Sequence, residues 1–335
     1  MEMIANDRVH LTANEAQILA EDTLKRIGYD AEEARIIADH VLDAALCGYE
    51  YSGLPKILNV AEHPRLREPR RPMKALHETP LSALFDGGNN NGMVTMYRAT
   101  QVAIAKASEH GMSVVGVNNS WVSGRSAHYV EMVARAGLIG IHSVSSRIHV
   151  AAPDSSGPAT GTNPIAFAFP TRDEPLVIDI GTAAFMGTDL IFQDRRKSVL
   201  PEGVAIDAQG RPTRDPAQVH AILPFGGYKG FALALAMQSL GVLAGSGQSY
   251  DKTYGYVIMA IKPDMLVPLD DFRRDMSDML ARVKAAPRQP GVDEIRLPGE
   301  RSARERARHL REGIEIDRKI YDALLAIPKG QLPAV

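Results

Sequence analysis

The chain has 335 residues, 45% of them hydrophobic and 23% charged, so it is long enough to bury a large core in one or two domains. Its 38 basic and 40 acidic residues give a formal net charge of -2. This balance excludes the broad positive field that attracts nucleic acid, and no apolar run approaches the roughly 20 residues of a membrane-spanning helix.

Two features of the sequence indicate the compartment. Residues 1–8 lack the apolar core of a signal peptide. The single cysteine, Cys47, cannot form an intramolecular disulfide, and it lies in an apolar helical segment where we expect it to pack rather than act as a nucleophile. We therefore expect a cytoplasmic protein with no membrane or nucleic-acid partner.

Two helices are predicted near the amino terminus. Thr12 and Glu15 form a capping-box pattern before a helix that ends at Gly28. Asp30 opens a second helix, whose apolar residues recur at helical spacing up to about Gly48. We expect these helices to form a hairpin. The basic run at residues 65–71, which is interrupted and flanked by prolines, indicates a solvated connector rather than a phosphate site.

Strands and helices alternate through the rest of the chain. Strands are predicted over residues 81–86, 113–117, 138–144, 165–169, 176–180 and 256–261. Helices are predicted over residues 93–111, 127–136, 231–243 and 302–327, and the glycines and asparagines of residues 87–92 predict a turn. The alternation favours an α/β fold with a mixed sheet, and we expect the last helix to pack against the amino-terminal hairpin.

The glycine pattern of an ordinary dinucleotide-binding domain is missing. That pattern is G-x-G-x-x-G between a strand and a helix. The closest run contains Gly245, Gly247 and Tyr250, but it lacks the third glycine and follows a helix. An ordinary Rossmann domain is therefore not expected.

Three other segments are rich in residues with special backbone properties. In residues 153–164, the polar groups of Thr160, Thr162 and Asn163 can bind phosphate or ribose, although the segment also fits a plain loop. Residues 223–230 lead into a predicted helix, and Lys229 there indicates either an anion site or a packed glycine turn. Residues 297–301, taken alone, favour a simple helix entry.

Taken together, these and other motifs resemble the type-2 malate/L-lactate dehydrogenase family over nearly the whole chain. The matching segments are residues 87–92, 136–140, 161–164, 200–203, 212–216, 226–230 and 298–300. The family also includes ureidoglycolate dehydrogenase, diketogulonate reductase, sulfolactate dehydrogenase and cyclic-imine reductases.

The resemblance implies a non-Rossmann nicotinamide-binding fold and a homodimer whose subunits share the active-site cleft. It implies hydride transfer, with NAD or NADP, to or from a C=O or C=N bond next to a carboxylate on a small substrate. We expect residues 1–113 and 302–335 to form a helical substrate and dimer domain, and residues 114–301 to form the cofactor domain.

The resemblance also implies a set of cofactor contacts. They are Ser145, Ser146, Pro153, Gly161, Thr162, Asn163, Asp179, Ile180, Gly181, Lys229, Gly299, Glu300 and Arg301. The family's paired glycines within residues 153–163 are replaced by Ser155 and Ser156, which alters the expected contact with the cofactor phosphates. No metal ligands are implied.

The chain departs from the family where substrate is expected to bind. The family's Asp-Ser-His-Gly run is Glu50-Tyr51-Ser52-Gly53 here, so Ser52 takes the histidine position. The arginine that follows in the family is Lys56. Lysine can neutralise a substrate carboxylate, but it lacks the planar bidentate fork of arginine.

The second departure lies in residues 119–124, where the family's Asn-Ser-Asn-His-Phe-Gly is Asn-Ser-Trp-Val-Ser-Gly. Val122 takes the position of the second histidine and cannot exchange a proton. Trp121 is expected either to line a pocket for an apolar or cyclic substrate or to pack in the core. The expected substrate contacts are Lys56, Trp121, Val122, Ser123 and Arg125.

Carbonyl reduction needs a proton donor, and both family histidines are replaced. Tyr51 is the first candidate because Lys56 could lower the pKa of its phenol, although Tyr51 could instead fill space or bind substrate. His149 is the second candidate, with a purely structural role as its alternative. Ser52 and Lys56 complete the expected catalytic set. A protonated imine would need such a donor less, and loss of both histidines also suits a cofactor-binding lyase, isomerase or silent subunit.

Overall fold

The computed structural model describes residues 7–196, 198–247 and 254–330, without the side chains at 195 and 196. Its α-helices are α1 (Ala13–Ile27), α2 (Ala31–Leu46), α3 (Pro55–Ala61), α4 (Gly92–His110), α5 (Ser126–Arg135), α6 (Gly187–Arg196), α7 (Tyr228–Leu243), α8 (Leu269–Lys284), α9 (Glu300–Glu312) and α10 (Arg318–Ala326). Its strands are β1 (Arg8–Leu11), β2 (Lys74–Glu78), β3 (Ser82–Asn91), β4 (Met112–Trp121), β5 (Ile139–Ser145), β6 (Val150–Ala151), β7 (Pro158–Thr160), β8 (Ile165–Phe169), β9 (Leu176–Ile180), β10 (Ala205–Ile206), β11 (Ala221–Ile222), β12 (Gly255–Ile261) and β13 (Ile314–Asp317).

A seven-stranded sheet forms the centre of the fold, in the order β2-β3-β4-β12-β5-β8-β9. β3 and β4 are parallel, whereas the other neighbouring strands are antiparallel. Helices α4, α5 and α7 pack against the sheet. The smaller sheets are the pair β1-β13 and the set β10-β11-β6-β7. The expected α/β fold with a mixed sheet is confirmed.

The amino-terminal hairpin forms as the capping signals predict. The Thr12 hydroxyl accepts a hydrogen bond from the Glu15 backbone at 3.2 Å, and the Glu15 carboxylate accepts one from the Thr12 backbone at 2.8 Å. Gly28 ends α1 with a φ of 122°, and the Asp30 carboxylate caps α2. The inner faces of α1 and α2 contribute apolar side chains to one core. The lone Cys47 is buried at the end of this hairpin, as expected.

Strand β3 corrects the prediction of a turn at residues 87–92. Parallel pairing with β4 is interrupted after Asp86 and resumes where Asn90 lies opposite Ser120. Gly88 and Asn89 both have a φ of 64°, a conformation that glycine and asparagine tolerate. The glycines and asparagines therefore form an irregularity within a longer strand, because the partner strand continues alongside.

The carboxy-terminal segment corrects the prediction of one helix over residues 302–327. Gly313 ends α9 with a φ of 81°, and β13 then pairs antiparallel with β1 before α10 begins. A Cβ atom at Gly313 would overlap the Leu11 carbonyl oxygen, so the close approach of β1 requires glycine there. Helical periodicity could not reveal this break, because the pairing partner lies about 300 residues away along the chain.

The carboxy-terminal helices pack against the hairpin, as expected. The His309 ring contacts the Leu46 carbonyl oxygen at 2.7 Å, and the Arg26 guanidinium donates to the Leu325 carbonyl oxygen at 2.6 Å. Ile314, Ile316 and Leu324 enter the same apolar core as α1 and α2. The proposed domain division remains a prediction. No helix among the described residues has the length and apolar character to cross a membrane.

The connector at residues 65–71 is only partly solvated, because Leu66 and Arg70 are buried. Arg70 forms an ion pair with Glu33 at 2.7 Å, and the two side chains are only 6% and 7% exposed. Arg65 also donates to the Asn119 side chain at 2.6 Å. Arg70 therefore ties this connector to the start of α2, and Arg65 ties it to β4 of the central sheet.

Replacing Arg70 with methionine should lower the free energy of unfolding by about 3–5 kcal/mol, because Glu33 would stay buried without its partner. Chemical denaturation followed by circular dichroism measures the loss. Arg98→Met is the matched control, since Arg98 forms a 3.4 Å pair with the exposed carboxylate of Glu32. That pair should contribute at most about 1 kcal/mol. Equal losses in the two variants would contradict the importance of the buried pair.

Candidate active site

A cavity of about 400 Å³ opens where the amino-terminal hairpin, the central sheet and α9 meet. Segments far apart in the sequence line it, and eight of the residues expected at the site are among them: Tyr51, Ser52, Lys56, Arg125, Asp179, Ile180, Gly181 and Gly299. Its size suits a small organic molecule. The cavity is therefore the candidate active site.

Lys56 enters the cavity from the first turn of α3, where Pro55 favours a helix start. Its ammonium donates to the Thr188 hydroxyl at 3.0 Å. Burial lowers the pKa of Lys56 to about 8, against the opposing effect of the Asp189 carboxylate. Burial also raises the pKa of Asp189 to about 6. Within the described part of the chain, Lys56 has a neutral hydrogen-bond partner and no carboxylate at ion-pair distance.

Tyr51 lies beside Lys56 in the cavity wall, but its phenol behaves opposite to expectation. Burial and the nearby Asp189 carboxylate raise the pKa of Tyr51 to about 12. The expectation of a lowered pKa for Tyr51 is wrong, because the loss of water and the negative charge of Asp189 both raise it. Tyr51 thus stays protonated and can donate a hydrogen bond.

A network of largely buried ion pairs forms part of the cavity wall. Arg306 of α9 pairs with Glu131 of α5 and with Asp43 of α2, both at 2.7 Å. Arg125 pairs with Asp43 at 3.1 Å. Burial raises the pKa of the Asp43 carboxyl group. The His128, Arg125 and Arg306 side chains outweigh this effect and hold that pKa well below its usual range. The two cavity arginines are therefore neutralised by carboxylates of the chain itself.

His40 positions the loop that carries Arg125. Its Nε2 accepts a hydrogen bond from the Arg125 backbone at 2.7 Å, which requires a neutral ring. Burial and the neighbouring His128, whose ring centre is 4.5 Å away, lower the pKa of His40 well below its usual value. A Cβ atom at Gly124 would overlap His40, so glycine is required for this approach. Sequence reasoning missed His40, whose only signal is its place on the buried face of α2.

The end of β9 is tied to the start of α5 beside the cavity. The Asp179 carboxylate accepts a hydrogen bond from the Ala127 backbone at 2.8 Å, and Asp179 and Ile180 are exposed toward the open space. The carboxylate thereby satisfies a free N–H group in the first turn of α5. This bond fixes the edge of the sheet against the Arg125 loop.

Four loops expected at the cofactor site converge next to β9. The Thr182 backbone donates to the Thr162 carbonyl oxygen at 3.1 Å, and the Phe225 backbone donates to the Thr182 carbonyl oxygen at 3.0 Å. The Asn163 side chain accepts from the Ser146 backbone at 2.9 Å and donates to the Ala234 carbonyl oxygen of α7 at 3.0 Å. Residues 145–146, 161–163, 179–182 and 223–230 thus form one continuous cluster.

The start of α7 in this cluster suits an anionic group. Gly226 and Gly227 have φ values of 56° and 61°, and a Cβ atom at either would meet nothing within 4 Å. Within the described ranges no side chain caps the helix, and the exposed Lys229 adds a positive charge to its first turn. Free N–H groups and a cation at a helix start are the features that bind phosphate.

The sequence profile of the malate/L-lactate dehydrogenase family matches residues 11–325. The chain belongs to this family. It is 32% identical over 329 residues to L-sulfolactate dehydrogenase of Methanocaldococcus jannaschii, covering 94% of each chain, and 31% identical over 323 residues to ureidoglycolate dehydrogenase (NAD(+)) of Escherichia coli K12, covering 92% and 93%.

Solved structures of family enzymes have the same fold. The sulfolactate dehydrogenase of M. jannaschii superposes with a TM-score of 0.84 at 31% identity, covering 95% of this chain and 96% of that one. The delta1-piperideine-2-carboxylate reductase of Pseudomonas syringae superposes with a TM-score of 0.82 at 25% identity, covering 95% and 99%. The expected family, fold and enzyme class are confirmed.

In this member of the malate/L-lactate dehydrogenase family, His149 does not line the cavity. Its backbone hydrogen-bonds to strands of the β10-β11-β6-β7 sheet. The His149 N–H donates to the Thr160 carbonyl oxygen at 2.8 Å, and the His149 carbonyl oxygen accepts from the Ile222 N–H at 2.9 Å. Burial and the nearby Arg147 lower the pKa of its ring. The structure therefore favours the alternative that His149 is a structural group.

Trp121 also lies outside the cavity lining. It is 1% exposed, donates to the Asn89 carbonyl oxygen at 3.0 Å and stacks on His63 with ring centres 4.5 Å apart. Val122 packs against the amino-terminal core, and Ser123 is buried. Of the two alternatives for Trp121, the structure therefore favours core packing, and Trp121 is corrected as a substrate contact because its ring is buried against the irregular part of β3.

The segment at residues 299–301 reaches the cavity only in part. Gly299 lines it, whereas the Glu300 carboxylate pairs with Lys284 and accepts from the Leu297 backbone at 3.0 Å. Arg301 lies over the Tyr49 ring, 4.9 Å from its centre. Pro153 is a half-buried loop residue outside the cavity lining. The Glu300 and Arg301 side chains are thus occupied by contacts within the chain, and a cofactor role for residues 299–301 and for Pro153 stays a prediction.

Replacing Lys56 with methionine should raise the melting temperature at pH 7 by at least about 2 °C, because methionine fills the space without needing hydration. Folding lowers the pKa of Lys56 from 10.5 to about 8. Between these two pH values the unfolded chain binds more protons than the folded chain. The stability that the wild type loses by burying a charged Lys56 is therefore largest below about pH 8 and becomes smaller as the pH rises.

Thermal melts of the wild type and of Lys56→Met at about pH 6, 7 and 9 measure this effect. The matched control is Lys106→Met, because Lys106 is also partly buried but pairs with Glu78 at 2.9 Å. The control should not be more stable than the wild type at any pH. A gain for Lys56→Met that stays constant across the pH range would contradict the lowered pKa.

Proposed function

We propose that the chain is an NAD(P)-dependent oxidoreductase that transfers a hydride to or from a small carboxylated substrate, a 2-oxo or 2-hydroxy acid or a cyclic imine. The observation that carries the proposal is the Lys56 ammonium in a cavity bordered by the end of β9. Family membership supports hydride chemistry, and when bound the nicotinamide supplies the hydride.

Lys56 is the cavity cation best placed to bind a carboxylate. Arg125 and Arg306 also reach the cavity, but Asp43 and Glu131 already neutralise them. Lys56 has only a hydroxyl as its hydrogen-bond partner among the described residues, so a carboxylate would give it the missing countercharge. Tyr51 and Ser52 line the same cavity and would contact the substrate.

The cluster at the start of α7 would hold the cofactor. The uncapped first turn and Lys229 fit its phosphates, and the polar groups of Ser146 and Thr162 lie 3.4 Å apart at the same place. Gly181 continues from this cluster into the cavity wall, which would bring the reactive ring beside Lys56. The ureidoglycolate dehydrogenase of Escherichia coli K12 is named for NAD(+).

Fluorescence titration with NADH and NADPH, followed by a screen of nicotinamide oxidation across 2-oxo acids and cyclic imine carboxylates, tests this proposal. We expect binding and at least one turned-over substrate. Lys229→Met should weaken cofactor binding by about 5- to 20-fold, because one charge-assisted contact with phosphate is lost. Lys74→Met, on the exposed edge strand β2, is the control and should bind normally.

Two outcomes would contradict the proposal in different ways. Absence of cofactor binding would reject the α7 cluster as the cofactor site. Tight cofactor binding without turnover of any substrate would favour a lyase, an isomerase or a catalytically silent binding subunit. The absence of histidine at Ser52 and Val122 is compatible with these alternatives.

We further propose that the chain forms a homodimer through α7. Between Phe231 and Leu243 this helix carries no charged residue, and helices that are apolar all round are normally buried. Nevertheless Leu235, Val242 and Leu243 are 46%, 59% and 62% exposed. A second copy is the occupant that the family resemblance implies, and it would cover this face.

Leu243→Glu should shift the chain from dimer to monomer, because a carboxylate would lose its hydration in the interface. Sedimentation equilibrium measures the change in mass. Leu266→Glu is the matched control, since Leu266 is 92% exposed in the turn before α8. A monomeric wild type, or a control that dissociates as readily as Leu243→Glu, would reject this interface.

A further inference from the structure

Building on the proposed function, we propose that Lys56 is also the proton donor of the reaction, with Thr188 and Asp189 as its positioning residues. One ammonium would contact both the substrate carboxylate and the neighbouring oxygen that receives the proton. This assignment replaces Tyr51 and His149, the two candidates that the sequence suggested.

The number of donors on the Lys56 ammonium permits this double contact. An ammonium has three N–H groups, and the Thr188 hydroxyl uses one of them at 3.0 Å. Two N–H groups remain for substrate. In a 2-oxo acid the keto oxygen and one carboxylate oxygen lie on adjacent carbons, so they can face the same cation. Binding the carboxylate therefore brings the reacting oxygen to the group that carries the proton.

The first turn of α6 sets the charge around Lys56. Thr188 and Asp189 are adjacent there, and the Asp189 carboxylate acts on Lys56 through space without forming an ion pair. This arrangement leaves the ammonium held in place yet able to lose its proton. The lowered pKa of Lys56, about 8, and the raised pKa of Asp189, about 6, are close to neutral pH, where proton transfer is most efficient.

The other ionisable groups facing Lys56 cannot take this role as readily. His40 and His63 both sense its charge, and burial together with nearby cations lowers the pKa of each, so both rings are neutral at pH 7. Tyr51 has a raised pKa of about 12. Arg125 stays charged beside Asp43, and Asp179 accepts from the Ala127 backbone.

The proposed reduction balances in atoms and electrons. When bound, the reduced nicotinamide would supply a hydride with its electron pair for the new C–H bond at the carbonyl carbon, and it would itself be oxidised. The π pair of the C=O bond moves to oxygen and forms an O–H bond with a proton from Lys56 Nζ, whose N–H bond breaks. Lys56 is left as a neutral amine and regains a proton from solvent next to Thr188 and Asp189. A protonated cyclic imine needs only the hydride.

Lys56→Arg separates the two roles of the residue. Arginine keeps the positive charge and can bind carboxylate, but it does not give up a proton. With a 2-oxo acid we expect kcat to fall by at least about 100-fold while KM changes by less than about 5-fold. With a protonated cyclic imine, kcat should fall by less than about 10-fold. Lys106→Arg, outside the cavity, is the control and should leave both rates unchanged.

A measurement on the protein without cofactor tests the same assignment independently. Competitive labelling with an amine-reactive reagent, followed by mass spectrometry across pH, should give Lys56 a pKa of about 8. Because the Asp189 carboxylate raises this pKa, Asp189→Asn should shift the labelling curve to lower pH. The alkaline limb of the pH profile for kcat/KM should shift in the same direction.

The outcomes separate this proposal from the proposed function. Full activity of Lys56→Arg on a 2-oxo acid, or a wild type that reduces only imines, would overturn the proton-donor role while leaving the oxidoreductase intact. An ordinary pKa of Lys56 near 10.5, or no shift in Asp189→Asn, would overturn it as well. A wild type without any turnover would reject the oxidoreductase itself, whatever the labelling shows.

Discussion

The ion network of Asp43, Glu131, Arg125 and Arg306 joins three parts of the chain that are distant in sequence. It connects α2 of the hairpin, α5 of the sheet layer and α9 near the carboxy terminus. Such charges are tolerated away from water only while each keeps its partners, because an unpaired member would remain desolvated. Since Arg125, Glu131 and Arg306 also line the cavity, the shape of the site depends on an intact network.

Local signals predicted most of the fold. The caps at Thr12 and Asp30 marked the hairpin helices, and β8 and β9 have the bounds expected from their apolar runs. The errors occurred where a distant partner decides the structure. β4 extends β3 through the expected turn, and β1 interrupts the expected final helix at Gly313. Neither partner leaves a trace in local periodicity.

The sequence predicted which segments form the candidate site better than it predicted the protonation and contacts of their side chains. Residues such as Lys56 and Asp179 were found because motifs locate them, and the cavity does bring them together. The predicted direction of the Tyr51 pKa shift was wrong, because the residues next to Tyr51 in sequence reveal neither its burial nor its proximity to Asp189. Thr188 and Asp189 were missed because α6 was not predicted, and Trp121 proved to be a core residue that hydrogen-bonds to β3.

The pairing of β1 with β13 has a consequence for biosynthesis. Ile314, Ile316 and Leu324 belong to the same apolar core as α1 and α2, so that core stays incomplete until these three residues have been synthesised. Part of the apolar face of the hairpin therefore stays uncovered until residues 314–324 have left the ribosome. Arg8 of β1 also pairs with Glu50 at 3.0 Å, so the strand pair is tied to the segment that precedes Lys56.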